Sequence, residues 1–125
     1  MRSTFTALCF GIAQLALAGG EDLPVGARFA GMGYAGLTAA DLWSLRLNPA
    51  GLAGLEKPTA GAFYQSHYLT KDLSHQGLAV AIPLGKGTLG IAADRFGYNL
   101  YNESKVSAAY AMRLGDGLRA AVQLD

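Results

Sequence analysis

The sequence predicts an all-β protein: an antiparallel transmembrane β-barrel, incomplete here at about five strands, preceded by a short helical segment rich in glycine and alanine. Three observations predict this class. The chain opens with an export signal, it is 51% hydrophobic without a second long apolar run, and residues 59–125 alternate large apolar with small or charged side chains. Hydrophobicity dispersed by alternation is typical of strands that have two different faces, and not of membrane helices.

Residues 1–18 are predicted to be a signal peptide. Met1-Arg2 supplies the positive start, Phe5 to Leu15 the apolar core and Ala16-Leu17-Ala18 the cleavage site, so the mature chain starts near Gly19. The single cysteine, Cys9, leaves with the signal, and no disulfide framework is expected. Removal of the signal also brings the formal charge from +1 to zero, which excludes a nucleic-acid footprint.

Residues 19–58 form the predicted helical segment. Residues 25–40 contain four glycines that favour close backbone packing: Gly26, Gly31, Gly33 and Gly36. Asp41 is a predicted N-cap for a short helix over residues 42–47, which Asn48-Pro49 ends because the residue before a proline avoids the α region. Gly51 and Gly54 are then expected to release the chain from helical structure.

Residues 59–125 are predicted to form the first strands of the barrel. The expected strands are residues 59–68, 77–84, 88–98, 106–114 and 118–125. Tight turns are expected at residues 85–87 and 115–117, and longer polar connections at 70–72 and 99–103. Short turns at one end and longer loops at the other are typical of outer-membrane barrels.

The strand pattern gives the predicted sheet one apolar face and one small or charged face. In the second strand, Leu78, Val80 and Ile82 alternate with Ala79 and Ala81. The small face also carries charged and amide side chains: Asp94, Arg113, Arg119 and Gln123. This arrangement favours an outer-membrane strand set, and a soluble exported β domain is the alternative, since its core-facing residues also alternate.

Five strands are too few for a closed barrel, because single-chain bacterial barrels take an even number of at least about eight. An open sheet in lipid would leave unpaired edges. We therefore expect an amino-terminal fragment or a truncated gene product, with the remaining strands beyond Asp125.

Candidate chemistry is sparse. The only histidines, His67 and His75, flank residues 70–72, and a metal site there would need a further ligand such as Asp72. Ser66 and Ser74 lie nearby without a signal for a triad or an oxyanion hole. The prediction is a protein without enzymatic activity, catalytic residues, cofactor or metal. Six aromatic residues are expected to form an interfacial girdle: Phe63, Tyr64, Tyr68, Phe96, Tyr98 and Tyr101.

A dinucleotide-binding pattern, Gly31-x-Gly33-x-x-Gly36 with Glu56 about 20 residues on, competes for the same segment. That fingerprint requires a buried strand before it and a βαβ unit around it. Only a few residues separate it from the predicted cleavage site, so the nucleotide interpretation is rejected.

Three short motifs carry a resemblance to a known family. They are Gly26-Ala27-Arg28-x-x-Gly31-Met32-Gly33, Ala39-Ala40-Asp41 and Asn48-Pro49-Ala50-Gly51-Leu52. In this combination the chain resembles outer-membrane barrels of the PorV/PorQ and FadL-like superfamily, in which an Asn-Pro-Ala motif lies between the signal peptide and the first strand.

The resemblance implies a location in the outer membrane of a Gram-negative bacterium, in contact with its lipid. It implies passive transport of hydrophobic small molecules or, alternatively, a docking or shuttle component of the type IX secretion system that holds secreted protein cargo. The segment would act as a plug or hatch whose motif comprises six residues: Gly31, Gly33, Asp41, Asn48, Pro49 and Ala50. The charged residues within residues 25–55, which are Arg28, Asp41 and Arg46, are expected to pair with wall residues such as Asp94, Arg113 or Arg119.

Overall fold

The computed structural model describes residues 24–69, 73–98 and 100–125. The predicted signal peptide, with Cys9, lies outside these residues, as does Asp72. The described chain has an amino-terminal segment of short helices, residues 24–58, followed by a five-stranded antiparallel sheet. Among the described residues, no helix is long and apolar enough to cross a membrane.

Three short helices build the amino-terminal segment: α1 (Ala27–Gly31), the 3₁₀ helix η1 (Leu42–Arg46) and the 3₁₀ helix η2 (Pro49–Gly54). Asp41 caps η1 as predicted, because its side chain accepts a hydrogen bond from the Trp43 amide at 3.0 Å. Ser44 completes a capping box by accepting from the Asp41 amide at 3.2 Å. The prediction that Asn48-Pro49 ends the first helix is confirmed, since η1 ends at Arg46. The expected release from helical structure is wrong for Gly51, because Pro49 begins η2 and Gly51 lies inside it, whereas Gly54 is the last residue of η2.

The sheet is a meander in which every strand pairs antiparallel with the next. Its strands are β1 (Thr59–Ser66), β2 (Ser74–Leu84), β3 (Gly87–Tyr98), β4 (Tyr101–Gly115) and β5 (Leu118–Leu124). All five predicted strands are present, and the sheet is open, with β1 and β5 at its edges. A register shift between Arg113 and Gly115 marks an irregularity where β4 approaches its turn.

The predicted long connection over residues 99–103 is wrong. Tyr98 pairs with Tyr101, so β3 and β4 join through a two-residue connection, and β4 already includes residues 101–105. Polar residues such as Asn102 and Glu103 suggested a loop, yet they belong to an exposed end of the hairpin. The expected rhythm of short and longer connections therefore fails here, although the connection between β1 and β2 is longer.

The two faces of the sheet differ sharply in size of side chain and in exposure. The inner face, which the amino-terminal segment covers, buries small residues: Ala79, Ala81, Ala92, Ala109 and Ala111. The outer face carries large apolar side chains that remain exposed, including Leu78 at 57%, Ile91 at 50% and Val106 at 66%. The hydrophobic core thus lies between the segment and the small side chains, and the large apolar face has no cover within the described chain.

Leucine side chains of the segment pack directly on the inner face. Leu45 and Leu52 are 1% and 0% exposed, and they lie over Gly90 in β3. A Cβ atom at Gly90 would come within 2.6 Å of Leu52 Cδ1 and 2.7 Å of Leu45 Cδ1. The absence of a side chain at this position is what allows the segment to approach the sheet so closely.

Candidate functional site

A buried ion pair joins the amino-terminal segment to the sheet. The Arg46 guanidinium, at the end of η1, pairs with the Asp94 carboxylate on the inner face of β3, and the two side chains are only 4% and 11% exposed. Asp125 lies 3.7 Å from the same guanidinium and 3.5 Å from Lys105. Because unpaired buried charges are costly, this cluster fixes the position of η1 on the sheet.

His75 extends the cluster along the inner face. Its Nε2 lies 3.1 Å from Asp94 Oδ2, and its ring meets the edges of Phe63 and Phe96 at centroid distances of 4.8 and 5.9 Å. Phe63 in turn packs edge-on against Trp43 of the segment at 5.2 Å. The girdle prediction is therefore wrong for the two phenylalanines, which face inward and enclose the histidine.

The predicted pairing between segment and wall is confirmed for Arg46 and Asp94 and wrong for the other charges. Arg28 pairs with Asp41 at 2.8 Å, inside the segment, with the arginine side chain 59% exposed. The Arg113 side chain instead contacts the backbone of the segment, because its Nε donates to the Ala53 carbonyl oxygen at 2.8 Å. Among the described residues, the sheet therefore contacts the segment through a buried ion pair and through a hydrogen bond to a main-chain oxygen.

The Asn-Pro-Ala motif organises the turn between η1 and η2. Asn48 Oδ1 accepts from the Ala50 amide at 3.3 Å, and Asn48 Nδ2 donates to the Leu37 carbonyl oxygen at 2.9 Å. Pro49 occupies the first position of η2, where a missing amide hydrogen costs nothing. The motif thus shapes the segment, while Asn48 and Ala50 also line a groove beside Arg119.

The predicted close-packing glycines fall into two groups. A Cβ atom at Gly31 or Gly33 would meet nothing within 4 Å, so close packing does not explain these two motif positions. Gly33 has φ +60°, which a turn with left-handed geometry requires. At Gly26 and Gly36 the space is instead filled by aromatic rings, those of Trp43 and Phe29.

The glycine pattern of the rejected nucleotide site lies at the end of α1 and in the turn after it, and no strand precedes it in the part of the chain that the structure describes. Within that same part, no group of three histidine, cysteine, aspartate or glutamate residues is placed to hold a metal. Sequence reasoning missed that His75 and Asp125 join the Arg46 cluster. The alternation of side chains along β2 and β3 places both His75 and Asp94 on the inner face, and their proximity could have been predicted from this pattern.

Two open grooves lie at the end of the sheet that carries the turns after β2 and β4. One, of about 380 Å³, runs between the end of η2 and the first of these turns, and Lys86, Thr88 and Arg113 are among its lining residues. The other, of about 320 Å³, lies beside the second turn and is lined in part by Asn48 and Arg119.

Comparison with protein-family models, with curated proteins and with solved structures finds no match to this chain.

Proposed function

We propose that this protein contributes the wall of an outer-membrane β-barrel whose lumen is occupied by the amino-terminal segment, and that it passes hydrophobic small molecules across the membrane. The observation that carries the proposal is the distribution of side chains on the sheet. The large aliphatic residues of the strands lie mostly on the uncovered face, whereas alanine, glycine and charged residues, together with Phe63 and Phe96, lie on the face under the segment. A soluble sheet that covers one face with helices places its large apolar residues beneath them.

The outer face supports contact with lipid hydrocarbon. Its outward positions within residues 78–84, 89–93, 106–114 and 120–124 include no charged residue. Residues 106–114 extend for about 26 Å along the strand at the usual rise per residue, which at a tilt of about 40° spans about 20 Å of an apolar band about 25 Å tall. Large contiguous apolar surfaces are rare on soluble monomers, so the exposed large apolar side chains of this face support lipid as its occupant.

The inner face supports a role for the segment in controlling access to an apolar surface. The small side chains of β2, β3 and β4 leave a shallow apolar groove, which Leu45 and Leu52 fill above Gly90. An apolar solute would take the same contacts if the segment moved aside. Because the Arg46–Asp94 ion pair holds η1 in place, weakening that pair is expected to make the groove under the segment accessible.

Two experiments test the proposal. The purified chain, refolded with neutral liposomes, is expected to float with them in a density gradient and to resist extraction by alkaline carbonate; recovery in the soluble fraction would contradict membrane insertion.

For transport, bacteria that express the chain in the outer membrane are exposed to a hydrophobic naphthylamine dye. Asp94→Asn is expected to speed dye entry over the wild type, with Arg95→Gln, on the outer face, as the matched control. Equal entry in both variants would contradict the gating role.

A further inference from the structure

Two arginines face each other across the last hairpin. Arg113 of β4 and Arg119 of β5 are register partners, and both belong to the inner face. The Nε of Arg113 donates to the Ala53 carbonyl oxygen at 2.8 Å. A Cβ atom at Gly54 would come within 2.9 Å of Arg119 Nη1, so the second guanidinium also lies over the end of η2.

These two cations differ from the other charged groups of the inner face. The carboxylates Asp94 and Asp125 each have a cationic partner, whereas no ion pair joins Arg113 or Arg119 to a carboxylate among the described residues. Like charges placed directly opposite each other on a sheet destabilise it. Because register partners on one face lie only about 5 Å apart, an anion placed between the two side chains would accept from both guanidiniums, and its charge would relieve their repulsion.

Both guanidiniums are accessible. Arg113 lines the 380 Å³ groove together with Lys86, and Arg119 lines the 320 Å³ groove beside Asn48. Both arginine side chains are exposed to solvent, although their backbones are paired within the sheet. A solute can therefore reach the pair from either side of the end of η2.

We propose that Arg113 and Arg119 form a binding site for an oxyanion, such as a phosphate group, at the end of the inner face that carries the β4–β5 turn. Each planar guanidinium can donate two parallel hydrogen bonds, which suits the oxygen atoms of planar or tetrahedral oxyanions. Rings of arginine and lysine select anions in membrane pores for the same electrostatic reason. The role of the site in selecting solutes rests on the proposed function, since it requires the inner face to line a lumen.

The test is a titration of the full chain, folded in a neutral maltoside detergent, with inorganic phosphate at constant ionic strength. The arginine Nε–H signals are followed by nitrogen-edited NMR. Saturable shifts are expected for the wild type, and Arg113→Gln/Arg119→Gln is expected to weaken binding by about tenfold or more, because each lost charged hydrogen bond is substantial. Arg95→Gln, an arginine of the outer face, is the matched control and is expected to bind as the wild type does.

A second arm identifies the source of the oxyanion. Octyl phosphate that binds more tightly than inorganic phosphate would indicate the head group of an amphiphile, and equal binding would indicate a free anion. No saturable shift in the wild type, or equal weakening by Arg95→Gln, would overturn the site. This titration requires no bilayer, so its failure is distinguishable from a failure of the chain to insert into liposomes.

Discussion

The substitution Asp94→Asn is expected to destabilise the contact between the amino-terminal segment and the sheet. It leaves the Arg46 guanidinium, 4% exposed, without its nearest carboxylate, while Asp125 remains at 3.7 Å. Removing one member of a buried ion pair typically costs 3–5 kcal/mol. Because Asp125 still offers partial compensation, we expect a loss of about 3 kcal/mol in the free energy of unfolding, at the lower end of that range.

The assay is equilibrium unfolding in denaturant, followed by the fluorescence of Trp43. This single tryptophan packs on Phe63 of β1 at 5.2 Å, so its emission reports separation of the segment from the sheet. Arg28→Met is the matched control: it breaks an ion pair whose arginine is 59% exposed, and we expect a loss of about 1 kcal/mol or less. The reasoning is refuted if Asp94→Asn costs no more than this control.

Three further substitutions test the packing of the segment on the sheet and the contact of the outer face with lipid. Gly90→Val is expected to push the segment off the sheet, because Leu52 lies within 2.6 Å of the added Cβ; faster proteolysis of residues 24–58 would report it, and unchanged proteolysis would count against the contact. Leu45→Ala is expected to lower the free energy of unfolding by about 2–5 kcal/mol, against little change for the exposed Val106→Ala, and equal losses would contradict the buried core. Ile91→Asp is expected to reduce liposome insertion while the sheet seen by circular dichroism persists; full insertion would argue against a lipid-facing position.

The strands could be predicted because each carries its own period-two pattern. Leu78, Val80 and Ile82 mark one face of β2 without any knowledge of its neighbours, and the glycines at residues 85–87 mark the turn that follows. The same pattern fails where polar residues occupy both faces. Asn102 and Glu103 belong to β4 because they pair across the hairpin with β3, and no local signal distinguishes that from a loop.

The candidate site could be predicted only in part. The alternation along β3 placed Asp94 on the face opposite the large apolar residues, and the sequence offered Arg46 as one of three charged residues that could pair with that face. Which strand residue would meet Arg46 depends on the path of η1 over the sheet, which is a tertiary property. The same holds for His75, whose enclosure by Phe63 and Phe96 requires three strands to be in register.

The central claim is that the outer face of the sheet contacts lipid and the inner face does not. The most direct measurement is fluorescence quenching by brominated acyl chains in liposomes. In the wild-type chain, Trp43 lies between the segment and the sheet and is expected to show little quenching. In a Trp43→Phe background, Ile91→Trp places the fluorophore on the outer face and is expected to be quenched strongly. Equal quenching at both positions, or quenching of Trp43 alone, would contradict the account.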